Sequence, residues 1–274
     1  MAFSSPAECF DRLATLAQSR LEAGRFTPPR YNAQPFTSNL ERLSAALKAD
    51  LERFLTEPAA REVESQVADC LAHSSSRGNF DSAHNADPAL ARLCYVLCRA
   101  LKPTHVLETG VAHGITTAFL LKALEVNGTG HLWSIDLPPL ASNADDSVGR
   151  AVPKELRSRW TLCRGKSRRI LPALLRHLAP IDIFIHDSLH TYRNETFEFA
   201  TAWPQLRNHG VLVSDDIEAH PAWVDWERKV RPLLSLVFEE RPKAQESLRG
   251  MVTPKFGVMI KNSNQQHTYR QNPV

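Results

Sequence analysis

The sequence predicts an α/β protein: a mostly parallel sheet of seven strands with helices on both faces, preceded by a helical extension. Two observations carry this. From His105 onward short apolar runs alternate with helical stretches, which is the pattern of βαβ units covered on both faces. Before that point the apolar residues recur at helical spacing only.

In chain order, Ser5, Pro6 and Glu8 mark a first helix start, and Phe10, Leu13, Leu16 and Ala17 repeat at helical spacing up to Gly24. A proline-rich connection follows over residues 26–36. A second helix runs from about Ser38, with Leu40, Leu43, Leu47, Leu51 and Phe54 on one stripe. A third lies near residues 59–73. Residues 74–88 are polar and punctuated by Gly and Pro, and read as a mobile loop able to cover a site. A fourth helix spans residues 88–100. The helical extension is thus 1–100, the α/β domain 101–262, and residues 263–274 a polar tail prone to fray.

Within the α/β domain the predicted strands are 105–110, 131–136, 159–165, 181–187 and 210–216, with helices between them. Two further strand-like runs, 233–241 and 255–261, are close in sequence and joined through Arg249 and Gly250. An antiparallel hairpin is the expectation for that pair.

A chain of 274 residues needs no disulfide or structural metal to hold its core. The net charge of +3 does not suggest a nucleic-acid footprint, and the densest basic run, Arg164 to Arg176, reads as a solvated helix face. The five cysteines are odd in number and widely spaced, which argues against a disulfide framework. Cys94 and Cys98 fall on one helix face as buried thiols, and the expected compartment is reducing and cytoplasmic. The N-terminus lacks the charged start and apolar run of a signal peptide, and no apolar run approaches the ~18 residues of a membrane span.

The first strand ends in Glu108-Thr109-Gly110, and Gly114 closes the turn into the next helix. Glycines there allow positive φ and close approach to a ligand. Asp136 ends the next strand 22 residues after Gly114, at the interval where an acid can hold ribose hydroxyls. The turn is not GxGxxG. A pyrophosphate wants backbone N–H groups and no carboxylate nearby, whereas Glu108 suits a ligand bearing an ammonium or sulfonium. A second constellation pairs Asp187, His190 and Tyr192 with Asp215 and Asp216 at the ends of neighbouring strands. Three convergent carboxylates repel unless a positive charge sits among them, and Mg²⁺ or another hard divalent cation is the simple answer. Asp215 and Asp216 equally suit a helix cap, and His190 a core histidine.

E-x-G-x-x-x-G followed by a strand-end acid resembles motifs I and II of class I S-adenosylmethionine-dependent methyltransferases, over about His105 to Lys261. The resemblance implies a Rossmann-like fold and a cofactor site formed by Glu108, Thr109, Gly110, Gly114, Thr116, Asp136, Ser167 and Asp187. Asp187, His190 and Tyr192, with the strand from Gly210 to Asp216, are similar to the family 24, macrocin-type O-methyltransferases. That likeness implies O-methylation of a small molecule, with Asp187, Asp215 and Asp216 as metal ligands. Such enzymes often carry a second acid where Leu189 stands, so the base expected here is His190, with Asp187 beside it. No nucleic-acid or membrane partner is expected, and the assembly expected is a homodimer. The competing readings are a nicotinamide-dependent oxidoreductase and a non-catalytic scaffold of the same fold.

Overall fold

The computed structural model describes residues 6–72, 88–137, 148–239 and 254–263. The expected loop over 74–87, the connection through Arg249 and Gly250, and most of the expected tail lie outside the described residues.

The N-terminal helices are α1 (Pro6–Glu22), α2 (Phe36–Leu47), α3 (Glu52–Leu55), α4 (Pro58–Ala72) and α5 (Pro88–Leu101). The stripe expected on one helix from Ser38 to Phe54 is split between α2 and α3. Lys48 adopts a left-handed φ of 52°, and its N–H bonds back to the Ala45 carbonyl. The break keeps the stripe inside, for Leu40, Leu43, Leu51 and Phe54 are all buried. In α1 the predicted periodicity holds, but its direction is reversed. Phe10 and Leu13 face outward and Leu16 stands exposed at the rim of the cleft, while Glu8, Arg12 and Glu22 are buried.

The α/β part runs β1 (His105–Thr109), α6 (Ile115–Asn127), β2 (His131–Asp136), β3 (Trp160–Arg164), α7 (Ser167–Leu178), β4 (Ile181–His186), α8 (Tyr192–Ala202), β5 (Leu206–Ser214), α9 (Ala222–Val230), β6 (Leu234–Glu239) and β7 (Lys255–Ile260). The sheet order is β3-β2-β1-β4-β5-β7-β6. β1 to β5 are parallel, and β7 is antiparallel to both β5 and β6. The expected β6–β7 hairpin is present, with β7 inserted between β6 and β5.

Strand alternation divides the core into two layers. Val106, Ile183, Ile185, Val211 and Val213 pack with α2, α4, α5 and α6 on one face. Leu107, Phe184, Leu212 and Met259 pack with α7, α8 and α9 on the other. Cys94 and Cys98 lie in the first layer, fully buried and free as expected, and burial pushes both thiols up. The outer edge of β6 meets the connection before α2 at an isolated bridge between Gln34 and Phe238. The Gln34 N–H and the Asn39 side-chain amide both donate to the Val237 carbonyl, at 3.3 and 2.9 Å.

Candidate active site

Strand order reverses about β1, whose neighbours are β2 on one side and β4 on the other. In open α/β sheets a ligand crevice forms outside the strand ends at such a point. Two contacts tie the ends of β1 and β4 together. The Asp187 N–H donates to the Thr109 carbonyl at 2.8 Å. Gly110, at φ +86°, lies so close that a Cβ there would come within 1.7 Å of the Asp187 carbonyl oxygen. No side chain fits at position 110 without parting the two strand ends.

The turn from Gly110 to Gly114 is organised by Asp136 at the end of β2. Its Oδ2 accepts the N–H groups of Val111 and Ala112, both at 3.0 Å. Burial raises its pKa against those two bonds. Gly114, at φ +83°, packs against Gly149 and Val152 on the far side of the turn.

A cleft of about 370 Å³ opens above these elements. Its floor is Gly110, Val111, Ala112 and Asp136. One end is Gly165, Lys166 and Ser167 at the start of α7, and the other is Asp187, Ser188 and Leu189. Arg12, Thr15 and Leu16 of α1 complete it. α1 is held there by its polar face. Glu8 accepts from Arg12 and Arg164, each at 2.7 Å, Asp11 pairs with Arg169 at 2.9 Å, and Gln18 donates to the Thr191 hydroxyl at 2.6 Å.

Of the residues expected to touch a cofactor, Gly110, Asp136, Ser167 and Asp187 line this cleft. Glu108, Thr109, Gly114 and Thr116 do not. Glu108 points beneath the turn toward α6, where its Oε2 accepts from Thr117 (2.8 Å) and Ser134 (2.7 Å). Burial, more than offsetting these bonds, pushes its carboxyl up to about 8. Thr109 points to the opposite face and donates to Glu198 at 2.5 Å. Thr116 is buried in the first turn of α6. These four support the cleft from behind.

At the Asp187 end, ligand atoms of Asp187, His190 and Asp215 all lie within 4.8 Å of one another. His190 takes the place expected for Asp216 in this group, and Asp216 stands beside it, 3.6 Å from His190 Nε2. His190 Nε2 is 3.7 Å from Asp187. Burial opposes a charge on His190, but Asp216 and Asp187 outweigh it and lift its pKa to about 9. At neutral pH this imidazole holds its proton, the opposite of what a general base needs. Two carboxylates and an imidazole are a donor set that fits a divalent cation.

Beneath the site lies a buried network that sequence reasoning missed. Glu198 of α8 accepts from Thr109 and Ser188, bonds His186 Nδ1 at 2.6 Å and takes the Asn194 side-chain amide at 3.0 Å. Burial disfavours its charge, but His186 and the bonds from its neighbours bring its carboxyl down to about 2. One carboxylate thereby fixes the ends of β1 and β4 and the loop that follows β4. The signal available was Asn194, Glu195 and Glu198 recurring with Phe199 and Ala202 on one helix face, polar groups on an otherwise apolar stripe.

Residues 107–217 match the family 24 model, described as a methyltransferase domain. The chain carries a methyltransferase domain. That domain spans β1 to β5, the switch point and the whole cleft floor. No curated protein matches the chain in sequence. Among solved structures, an O-methyltransferase from Bacillus cereus in complex with S-adenosylhomocysteine is 14% identical. The match covers 72% of this chain and 91% of that one, with a TM-score of 0.55. A methyltransferase from Podospora anserina, bound to S-adenosylhomocysteine, is 11% identical over 86% of this chain and 99% of its own, with a TM-score of 0.51. An O-methyltransferase of tomaymycin synthesis from Streptomyces achromogenes, in complex with S-adenosylmethionine, is 16% identical over 73% and 99%, with a TM-score of 0.50. At these identities the structures share the fold of this methyltransferase domain.

Proposed function

We propose that the chain is an S-adenosylmethionine-dependent methyltransferase that methylates an oxygen of a small molecule, with a divalent cation held at Asp187, His190 and Asp215. The observation that carries this is a single cleft running from Ser167 past Asp136 to Asp187, a residue that also belongs to that three-residue group. The nicotinamide reading is disfavoured by the same turn. The Val111 and Ala112 amides, which a dinucleotide site would present to pyrophosphate, are already taken by Asp136. The choice of oxygen follows the solved relatives, two of which are described as O-methyltransferases.

The bound nucleoside supplies an electrophilic methyl group on sulfur. A divalent cation supplies Lewis acidity, which lowers the pKa of an acceptor hydroxyl. The rest is done by side chains of this chain. Asp136 holds the turn closed and faces the ribose. Ser167 and Lys166 bound the far end, and Asp187 positions the acceptor where in-line attack is short-range. With its lone pair given to the cation, His190 would hold the ion rather than act as the base, and the acceptor's proton would pass to solvent at the mouth of the cleft.

Calorimetric titration with S-adenosylhomocysteine tests the reading. Binding to the wild type, at least tenfold weaker in Asp136→Ala, is expected. Heat with NADH and none with S-adenosylhomocysteine would overturn it.

A further inference from the structure

A second cavity, of about 270 Å³, lies away from the cleft and shares no lining residue with it. It sits at the outer edge of β6, the end strand of the sheet, where the connection before α2, α2 itself and α9 meet. Its charged groups are Arg30, Arg42 and Glu227. Among the described residues none of the three has an ion-pair partner, so two cations and one anion stand around one space without pairing.

Asn39 supplies an independent sign. It is fully buried, and its amide nitrogen donates to the Gln34 and Val237 carbonyls at 3.4 and 2.9 Å. That orientation leaves its Oδ1 without a partner. A buried acceptor with no donor is rare in a folded chain. The strand edge adds to the polar lining. The Val237 carbonyl faces outward to its donors, and by strand alternation the main-chain groups of Ser235 face the same way. The apolar part is small. It consists of Val224, Leu236 and the ring of Tyr31, whose hydroxyl is spent on the Ile217 carbonyl at 3.0 Å.

We infer that this cavity binds a free α-amino acid, its carboxylate pairing with Arg30 and Arg42 and its ammonium held by Glu227 and Asn39 Oδ1. A guanidinium takes a carboxylate in charge-assisted hydrogen bonds. A plain anion would satisfy the arginines, but Glu227 would repel it and Asn39 Oδ1 would stay unmet. A plain amine would face two guanidinium groups. A ligand carrying both charges on one carbon answers both needs. The volume falls below the roughly 300 Å³ at which sites for larger ligands begin, which suits a molecule of amino-acid size.

This site stands apart from the cofactor reading. S-adenosylmethionine itself carries an α-amino acid group, so binding is measured with the cleft blocked. Saturation-transfer NMR and calorimetry on the full chain, in excess S-adenosylhomocysteine, survey the common L-amino acids. At least one should bind with a millimolar or tighter Kd, and its deaminated acid and its decarboxylated amine should each bind about tenfold or more weakly. Arg42→Gln and Glu227→Gln should each weaken the amino acid by a similar factor and leave S-adenosylhomocysteine binding unchanged. Binding by none of the amino acids would overturn the inference. So would binding that survives both substitutions, or a deaminated acid or inorganic phosphate that binds as tightly, which would make this a plain anion site. If S-adenosylhomocysteine gives no heat, the cofactor reading falls, and the two variants still decide the amino-acid site.

Discussion

Asp136 and Glu108 are both carboxylates near strand ends, the first half-buried at the cleft floor and the second fully buried, yet they do different things. Asp136 satisfies two backbone amides of the turn with one oxygen. Its loss frees those amides and loosens the floor of the cleft. Asp136→Asn should therefore weaken S-adenosylhomocysteine binding by roughly tenfold to a hundredfold in calorimetry, the range of a charged hydrogen bond removed. Glu108 accepts hydrogen bonds from Thr117 and Ser134 beneath the turn. Folded, it keeps its proton to about pH 8, against 4.5 for the ordinary side chain. Folding thus takes up a proton between those values, and stability falls as pH rises through that window. Glu108→Gln should flatten the decline in melting temperature from about pH 5 to about pH 9, removing a cost on the order of a few kcal/mol at the alkaline end. An unchanged slope would mean that Glu108 ionises freely.

The elements show how far a sequence can be read. The βαβ alternation after His105 was legible because strand and helix periods differ, and every strand from β1 to β7 falls where the apolar runs stand. The cleft residues Gly110, Asp136 and Asp187 were legible too, since turns and strand-end acids are local signals. What was not legible depends on contacts between distant segments. Glu198 meets Thr109 and His186 only after β1, β4 and α8 have assembled. α1 shows the same limit: spacing revealed its stripe, but only its ion pairs with Arg164 and Arg169 turn that stripe outward. The break between α2 and α3 depends on a lysine in a left-handed conformation that glycine adopts without strain. Lys48→Gly should raise stability by about 0.5–1 kcal/mol in denaturant titration, because the residue is exposed and caps the helix. A loss instead would show that the lysine's stem packs more firmly than its exposure suggests.

At the scale of the whole molecule, charge at the Asp187 end is the property most open to test. Asp187, Asp215 and Asp216 around one imidazole leave an excess of negative charge at the cleft's end. Adding Mg²⁺ or Mn²⁺ should raise the melting temperature of the wild type, and that rise should vanish in Asp215→Asn. Chelation should abolish methyl transfer, and the cation should restore it. Equal shifts in both proteins would place the ion elsewhere.

The stitch from Gln34 and Asn39 to Val237 joins a segment near the start of the chain to the last-but-one strand. Without it, the outer edge of β6 would lose the one bridge it has among the described residues and stand as a template for intermolecular strand pairing. A chain trimmed of its first 35 residues and carrying Asn39→Ala should then form fibrillar or amorphous aggregates on standing, seen as rising turbidity, even though every strand and the cleft floor are retained. The connection around Gln34 would thus be a guard on the sheet's flank, needed for solubility although it lies outside the cleft.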